Sequence, residues 1–407
     1  MASGQVQLLL VDLALILVLA WALGRIAVRL HQPPVVGEIL AGVLLGPTLF
    51  HGALDRVLFP DEIRTVLVGI ADLGLVLFMV GVGMEINPSA LRGRGTGVLR
   101  MAAGSMLVPF CLGLAAAPYL LEGRTSGTSV VFVGLALSVT AFPVLARIIT
   151  DRRLSGTTLG VIAIATAAAV DVVAWTALAA VQAFSSSGGD SWRTALIVPF
   201  AAFMVFAVRP SLRRVLASMS AGGAFAVTLC GALLSSAATE AMGIHFIFGA
   251  FLFGAILPRL DPGAAHAPLH GRVEQVAGVL LPVYFVVAGL NVNLGELAGD
   301  DFARLGLVLL VAIAGKLGGT YLGGRSAGLA PRPAAGLAVL MDTRGLTELV
   351  ILGVGLQAGL IGGTLYSLMV VMAVVTTVLT GPLLSLVYTK PVEISEVSRA
   401  REPEPAA

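Results

Sequence analysis

Residues 137–175, LSVTAFPVLARIITDRRLSGTTLGVIAIATAAAVDVVAW, decide how the rest of the chain is read. The stretch reads as two apolar membrane passes joined by a short basic connection. Pro143 interrupts the first pass, and a single carboxylate, Asp171, stands among Ala, Val and Ile in the second. A charge at the centre of a bilayer costs about 2.5–3.5 kcal/mol on insertion scales. A lone acid at that depth therefore indicates an ion or proton pathway.

The composition identifies the solvent as a lipid bilayer. The chain of 407 residues is 57% hydrophobic and 12% charged, and its apolar runs recur from Leu8 almost to Tyr388. Runs of about 20 apolar residues match a hydrocarbon core of about 30 Å. Only helix bundles and closed barrels satisfy their backbone groups inside lipid, and long runs without alternation exclude the barrel. The predicted fold class is an all-α polytopic membrane protein.

Other classes of protein are excluded on specific grounds. A net charge of +2 is too small to indicate a nucleic-acid partner. The sequence has no phosphate-binding Gly-rich loop and no nucleophile elbow, so we expect neither an enzyme nor a cofactor. Cys111 and Cys230 fall inside apolar runs, where we expect packed thiols rather than a disulfide. Pro268 separates His266 from His270, which argues against a zinc pair.

Thirteen candidate spans follow one another along the chain. They lie near 7–29, 34–50, 64–84, 97–121, 128–149, 156–184, 194–208, 219–239, 243–258, 273–292, 303–324, 333–361 and 364–388. We expect one transmembrane domain over 1–390, with a first repeat near 7–184, a linking span near 194–208 and a second repeat near 219–388. The tail 391–407, rich in Glu and Pro, is expected to be a short disordered cytoplasmic segment.

The distribution of Lys and Arg predicts the orientation. At or near the odd-numbered connections and in the tail there are 18 of these residues, whereas the even-numbered connections hold 5. Basic residues favour the cytoplasmic side of a membrane. We therefore expect the N-terminus outside and the C-terminus inside, which an odd number of spans requires, in a plasma membrane of the bacterial inner-membrane type.

The two halves of the chain repeat one another weakly. Residues 37–47 in the second span resemble 248–258 in the ninth, and 78–87 in the third resemble 285–293 in the tenth. Each pair is seven spans apart, and an odd separation reverses the direction of a span. The pattern predicts inverted-topology repeats, which many secondary transporters have. Chance similarity between Gly-rich helices is the alternative.

Corresponding spans of the two halves also carry interruptions. Residues 341–349, MDTRGLTEL, place three charges and a glycine inside an apolar span, and the equivalent position holds 138–143, SVTAFP. Proline removes a backbone donor and disfavours helix at the residue before it. The sequence therefore predicts two discontinuous helices. Interruptions at matching positions are the best sequence indication of a transporter's binding site.

These features resemble the second cation:proton antiporter family, whose members exchange monovalent cations for protons. The resemblance covers nearly the whole chain and rests on several short motifs in the same order. They are PVVGEILAG at 34–42 with LGP at 45–47, TAFPVLAR at 140–147, Asp171 with Trp175, GIH at 243–245 with FGAF at 248–251, LP at 281–282 with GL at 289–290, GK at 315–316, and RGL at 344–346 with Glu348 and Leu349.

The resemblance implies a fold and a set of roles. It implies a core domain with two crossing broken helices that moves against a scaffold, through which two copies form a homodimer. Asp171 would bind a cation or a proton in turn, and Lys316 would be the basic residue facing the site. Ser138, Thr140 and the crossing backbone would help to hold the ion, so Asp171 and Thr140 are the expected ligands of the monovalent cation. A buried carboxylate near a cation can titrate close to ambient pH, which suits this exchange.

Two departures from the family pattern bear on stoichiometry. The residue before the transport aspartate is commonly Asn or Asp in relatives, and here it is Val170. Relatives with two acids tend to be electrogenic, so the resemblance suggests electroneutral exchange. Asp342 stands where many relatives have Asn. We hypothesise that Asp342 replaces the missing partner, facing either Lys316 or Asp171.

Several roles stay open at this point. Lys316 is either a functional base or a packing partner of Asp171, and Arg344 and Glu348 either act in gating or only neutralise one another. His245 is a pH-sensing residue or a packed imidazole. Glu38 lines the ion entrance or caps a short helix. The crossing and gating candidates are together Pro143, Arg344, Gly345, Glu348, Glu38 and His245.

The main prediction is a secondary antiporter that exchanges Na⁺ or K⁺ for protons by alternating access. Two alternatives share the fold, because a fold alone does not fix a substrate. One is an ion-coupled exporter of an organic ion, and the other is an uncoupled channel or sensor, which Val170 makes conceivable. The sequence does not choose between Na⁺ and K⁺, since selectivity depends on site size and carbonyl placement.

Overall fold

The computed structural model describes residues 3–30, 32–49, 52–85, 95–123, 125–152, 154, 157–185, 196–217, 219–258 and 269–388. Throughout these ranges the regular structure is helical. The helices are α1 Ser3–Arg29, α2 Pro34–Leu45, α3 Ala53–Leu58, α4 Asp61–Glu85, α5 Gly95–Leu120, α6 Gly127–Ser138, α7 Phe142–Asp151, α8 Thr158–Ser185, α9 Ile197–Phe203, α10 Arg209–Ala217, α11 Ala221–Ala241, α12 Ile247–Ile256, α13 Leu269–Leu290, α14 Gly299–Ser326, α15 Pro331–Met341, α16 Leu346–Gln357 and α17 Gly363–Val387.

Proline and serine set several of the helix starts. Pro34, Pro143 and Pro331 occupy the first turns of α2, α7 and α15. Proline suits this position because the first backbone N–H groups of a helix have no partner within it. Ser126 and Ser220 cap α6 and α11 by accepting hydrogen bonds from Ser129 N and Gly223 N. Local sequence chemistry therefore places these boundaries.

Helix is present at all thirteen predicted spans, and two of the spans are broken. The fifth span consists of α6 and α7, and the twelfth consists of α15 and α16. Among the described residues, nine helical segments are long and apolar enough to cross a membrane. The remaining spans are the broken twelfth span, the shorter apolar helices α2 and α12, and the linking helices α9 and α10.

Two sequence predictions need correction. The linking span does not end at 208, because a π-helical turn, Met204–Val208, joins α9 to α10 and the helix continues to Ala217. Arg209, Arg213 and Arg214 thus lie on a helix rather than in a connection. Cys111 and Cys230 are free thiols, as expected, but they are exposed rather than packed. Apolar helix faces in a membrane protein meet lipid as well as other helices, so apolarity alone did not predict their burial. The predicted tail, 391–407, lies outside the described residues.

Helix packing divides the bundle into two groups. The scaffold group contains α1, α2, α4, α11, α12 and α13, and the core group contains α5 to α8 and α14 to α17. Extensive packing, such as that of α13 on α4 or α14 on α5, occurs within each group. Among the described residues no extensively packed helix pair joins the two groups. This arrangement leaves the two groups joined by limited packing alone.

The packing also repeats between the two halves of the chain. α1 packs on α2 as α11 packs on α12, and α2 packs on α13 as α12 packs on α4. In the core group, α5 contacts α6 and α8 as α14 contacts α15 and α17. Corresponding contacts seven spans apart are what inverted-topology repeats produce. The similarity of 37–47 to 248–258 therefore reflects the architecture rather than chance.

Glycines allow the closest of these helix crossings. A Cβ atom at Gly42 would lie 2.1 Å from the carbonyl oxygen of Val286, and one at Gly83 would lie 2.3 Å from that of Phe251. Small residues let membrane helices approach to backbone contact. The two contacts occupy corresponding positions, because the first joins the second span to the tenth and the second joins the third span to the ninth.

Candidate functional site: a carboxylate beside two crossed helix breaks

The two helix breaks are bonded directly to each other. Ala141 N donates to Thr343 O at 2.9 Å, and Thr140 Oγ1 donates to Met341 O at 2.8 Å. Gly345 begins α16 with φ 148° and ψ −119°, a backbone conformation that essentially only glycine adopts. The charged run at 341–349 and the proline-containing run at 138–143 therefore form one crossing.

Two cationic side chains donate hydrogen bonds to the C-terminal carbonyl groups of α6. Arg344 donates to Ala136 O at 3.1 Å and to Leu137 O at 2.5 Å, and Lys316 Nζ donates to Ser138 O. The last carbonyl groups of a helix have no intrahelical partner and carry partial negative charge. Arg344 and Lys316 supply both the donors and the opposite charge. These carbonyls are consequently engaged by the protein itself.

Arg344 is held in place by a second set of contacts. It donates to Glu348 Oε1 at 2.9 Å, and both side chains are buried. Thr377 on α17 accepts a hydrogen bond from Arg344 N at 3.2 Å and donates to Arg344 O at 2.6 Å. The sequence did not indicate Thr377, although a pair of threonines in the last apolar span was the available signal.

Asp171 is buried without a hydrogen-bond partner. The residue is 4% exposed, and neither carboxylate oxygen has a donor among the described residues. Its neighbour Val170 is fully buried and offers no polar group. Lys316 lies within electrostatic reach of Asp171, but no ion pair joins them in the described part of the chain. A buried carboxylate without a partner is costly unless a proton or a cation occupies it.

Asp171 lies where the core group meets the scaffold group. Trp175, one helical turn further along α8, contacts the rings of Phe248 and Phe251 on α12, with centroids 6.3 and 6.2 Å away. Residues four apart on a helix share a face, so Asp171 is directed to the same side as Trp175. The acid therefore belongs to the core group and faces the weakly packed interface.

Asp342 lies between Met341 and Thr343, whose carbonyl groups accept hydrogen bonds from the first helix break. It caps α15, is 2% exposed, and has one carboxylate oxygen without a donor among the described residues. The charges that act on it are those of Arg344, Lys316 and Glu348. The charges of Asp342 and Lys316 act on one another, so of the two arrangements proposed for Asp342 we favour the one in which it faces Lys316.

The formal charge of the buried cluster is −1. Asp171, Asp342 and Glu348 supply three negative charges, and Lys316 and Arg344 supply two positive charges. An uncompensated charge inside a low-dielectric bundle is strongly unfavourable. One monovalent cation or one proton would neutralise this cluster.

The structure brings most of the predicted site residues together and separates two of them. Thr140 and Ser138 are buried at the crossing, where the hydroxyl of Ser138 donates to Leu135 O at 2.8 Å. Pro143 lies beside them in the first turn of α7. Glu38 on α2 instead interacts with the charge of Arg147, in the middle of α7. His245 lies in the connection between α11 and α12, away from the crossing.

An acidic group stands at the end of α4. The ligand atoms of Glu85, His270 and Glu274 lie within 4.8 Å of one another, and the charge of Glu85 acts on Asp171. A cavity of about 640 Å³ begins next to it, at Met84, and is also lined by Phe206, Arg213 and Pro258. His266, the other member of the histidine pair that we considered for zinc, lies outside the described residues.

Comparison with known proteins provides several matches. A family model described as "Sodium/hydrogen exchanger, transmembrane" matches residues 13–390. The Na(+)/H(+) antiporter NhaS4 of Synechocystis is 35% identical, and the match covers 96% of this chain and 100% of that protein. Cation/H(+) antiporter 17 of Arabidopsis thaliana is 34% identical over 94% of this chain, and K(+)/H(+) antiporter 1 of Saccharomyces cerevisiae is 34% identical over 88%.

The matches differ in how much of each relative they cover. The chain spans 48% of the Arabidopsis protein and 44% of the yeast protein. Among solved structures, the sodium proton antiporter MjNhaP1 from Methanocaldococcus jannaschii at pH 8 has a TM-score of 0.64 at 16% identity, covering 95% of this chain and 97% of that one. At this identity the structural match shows the fold alone.

Proposed function

Because the chain belongs to the sodium/hydrogen exchanger family, we propose that it exchanges one monovalent cation for one proton through a single site built around Asp171. The chain is an integral membrane cation/proton antiporter, and its relatives are transporters rather than enzymes. The observation that carries the proposal is the buried carboxylate of Asp171, which has no donor within the described protein.

The charge balance of the cluster supports one-for-one exchange. With Asp171 ionised, the cluster of five charged residues carries −1, and either ligand returns it to zero. Val170 adds no second acid at the site. The cluster is then neutral each time the site changes sides, whether it carries the cation or the proton. The exchange is therefore electroneutral.

Roles for the neighbouring residues follow from their contacts. Lys316 and Arg344 hold the end of α6, and Asp342 and Glu348 balance their charge. Thr140 uses its hydroxyl proton to bond Met341 O, which leaves the oxygen lone pairs of Thr140 free for a cation. We assign Asp171 and Thr140 as the ligands of the cation. The crossing of the two helix breaks holds these ligands in position.

Alternating access is the transport mode that the packing supports. The core group carries Asp171 and meets the scaffold group through limited packing. Displacement of one rigid group against the other exposes a site between them first to one side and then to the other. We place in the cytoplasm the arginine-rich end of the bundle, which carries Arg100 bonded to Ser326 O and Arg152 bonded to Ser385 Oγ. The N-terminus is then outside a plasma membrane of the bacterial type.

A homodimer through the scaffold group completes the proposal. The N-terminal helix α1 packs on α2, and much of its apolar surface stays exposed in a single copy. Leu10, Val18 and Trp21 are each more than half exposed. Lipid or a second copy would cover this face, and a fixed scaffold would give the core group something to move against.

Proteoliposomes loaded with a pH indicator test the function. Na⁺, K⁺ and Li⁺ are added singly, and cation-triggered proton movement that Asp171→Asn abolishes supports exchange. The matched control is Asp300→Asn, which removes an exposed carboxylate at the start of α14. Cation flux without proton movement would indicate a channel. A response to none of the three cations would indicate an exporter of an organic ion.

A further inference from the structure

The connection between α11 and α12 bridges the two helix groups. His245 N donates to Gln182 Oε1 at 3.1 Å, and His245 Nε2 lies 3.3 Å from Gln357 Oε1. Gln182 belongs to α8 and Gln357 to α16, both in the core group, whereas His245 belongs to the scaffold group. One residue of the scaffold therefore bonds two helices of the core.

The bridging connection is itself held in shape. Glu240, at the end of α11, accepts a hydrogen bond from Phe246 N at 2.8 Å. The rings of His245 and Phe246 have centroids 4.4 Å apart. These contacts orient the imidazole toward Gln357 and limit the freedom of the connection.

Other bonds between the groups lie at the same end of the bundle. Tyr366 Oη donates to Ala288 O at 3.0 Å, and Asn293 N donates to Ser367 Oγ at 3.1 Å. At the arginine-rich end, Gln32 Nε2 donates to Val378 O at 3.3 Å. The described hydrogen bonds between the groups are thus concentrated at the end that carries His245, whereas the cavity that begins at Met84 lies at the arginine-rich end.

The two glutamines belong to helices that carry the site. α8 contains both Asp171 and Gln182, and α16 contains both Glu348 and Gln357. A helix transmits a displacement along its length because hydrogen bonds join its successive turns. Holding the ends of α8 and α16 against the scaffold consequently holds the site closed toward that end.

We propose that His245, Gln182 and Gln357 form a latch that closes the outer side of the transporter and must open before Asp171 can load from outside. The proposal rests on the alternating access proposed above. It makes His245 a positioning residue, since it touches neither the cation nor Asp171. Opening requires both hydrogen bonds of His245 to break together, because both cross the same interface.

The latch should affect the apparent cation affinity mainly on the outer side of the membrane. When the competent conformation is only a fraction of the population, apparent affinity is reduced by that fraction. Removing the imidazole bond raises the outward-open fraction, and one hydrogen bond corresponds to roughly a 3- to 10-fold change. Apparent cation affinity from the outer side should therefore improve by about that factor, while affinity from the inner side changes less than about twofold.

The test measures cation-triggered proton flux in proteoliposomes of defined orientation, with the cation added to one side at a time. His245→Ala and Gln357→Ala should each improve the outer-side affinity, and the double variant should improve it no more than the larger single effect. His245→Gln restores a donor for Gln357 and should return the affinity toward the original value. Gln275→Ala, at an exposed glutamine of α13, is the matched control.

The outcomes separate the latch from the exchange itself. Equal losses on both sides, or additive effects in the double variant, would show a general structural role and overturn the latch. Unchanged outer-side affinity in both single variants would overturn it as well. If the unaltered protein shows no cation-triggered proton flux, the proposed function fails instead. Thermal unfolding of each variant checks that the measured protein is folded.

Discussion

Arg344 donates a hydrogen bond to the carbonyl oxygen of Leu137, so a side chain from one helix break satisfies the backbone of the other. The same guanidinium bonds Ala136 O and Glu348. The two helix breaks are thereby joined beside the carboxylate of Asp171, which has no hydrogen-bond donor among the described residues.

This relationship predicts that Arg344 is critical for stability. Breaking a buried ion pair by removing one partner costs about 3–5 kcal/mol. Arg344→Ala should therefore lower the unfolding temperature in detergent strongly. Removing Glu348 as well should cost less than the sum of the two single changes, because the residues share one network. Additive losses would show that the two side chains act independently.

The charge of the cluster predicts a compensation between Lys316 and Asp342. Lys316→Ala leaves the cluster at −2 and should impair one-for-one exchange, whereas Lys316→Ala with Asp342→Asn returns the cluster to −1 and should recover part of it. Asp342→Asn alone brings the cluster to zero and should weaken apparent cation affinity by roughly tenfold, about 1.4 kcal/mol. Flux measurements on the three variants check this. Unchanged cation affinity and unchanged proton coupling in Asp342→Asn would show that Asp342 does not act at the site.

Gly345 predicts a conformational cost at the second break. A Cβ atom at this φ of 148° is strained, and it would lie 3.1 Å from Val144 Cγ2. Gly345→Ala should destabilise the protein by about 1–3 kcal/mol. Gly353→Ala is the control, because that glycine lies in α16 and its Cβ would meet only Tyr284 Oη at 3.5 Å. Equal unfolding temperatures for the two variants would contradict the strained start of α16.

The latch predicts a dependence on outer pH. His245 lies in a connection outside the helices, where burial lowers the pKa of its imidazole, against the raising effects of the Glu240 carboxylate and the bond to Gln357. Gln182, the remaining partner, is uncharged. Release exposes the ring and returns its pKa toward about 6.5, so protons bind the released state more tightly and acidification below that value favours release.

The measurement compares His245→Ala with the unaltered protein at an outer pH of about 7.5 and of about 5.5, on either side of the ordinary histidine pKa. The gain in outer-side cation affinity should be present at the higher pH and shrink at the lower, where the unaltered latch has already opened. A gain of the same size at both values would show that titration of His245 does not control the latch.

The sequence was most informative where structure is set locally. Pro143 and the charged run around Gly345 predicted both breaks, because proline and glycine act on the backbone at their own positions. The contacts of Arg344 with Ala136 O and Leu137 O could not be predicted in the same way. Backbone acceptors are present at every residue, and only the folded crossing selects these two.

Side-chain partners that are distant in the sequence could not be predicted from it either. His245 was a candidate as a histidine near the start of the ninth predicted span, but its partners are 63 and 112 residues away and are ordinary glutamines. The linking helix was cut short because Arg209, Arg213 and Arg214 resemble a connection. Long basic side chains on a helix end can reach the membrane surface while the backbone stays helical.

Proton flux driven by the transported cation, Na⁺ or K⁺, at different membrane potentials tests the central claim most directly. Proteoliposomes of the unaltered protein and of Asp171→Asn are compared, with the potential set by an ionophore for another ion. One-for-one exchange at Asp171 predicts a cation-triggered proton flux that does not vary with potential and is absent in Asp171→Asn. A flux that changes with potential, or one that persists in Asp171→Asn, would contradict the account.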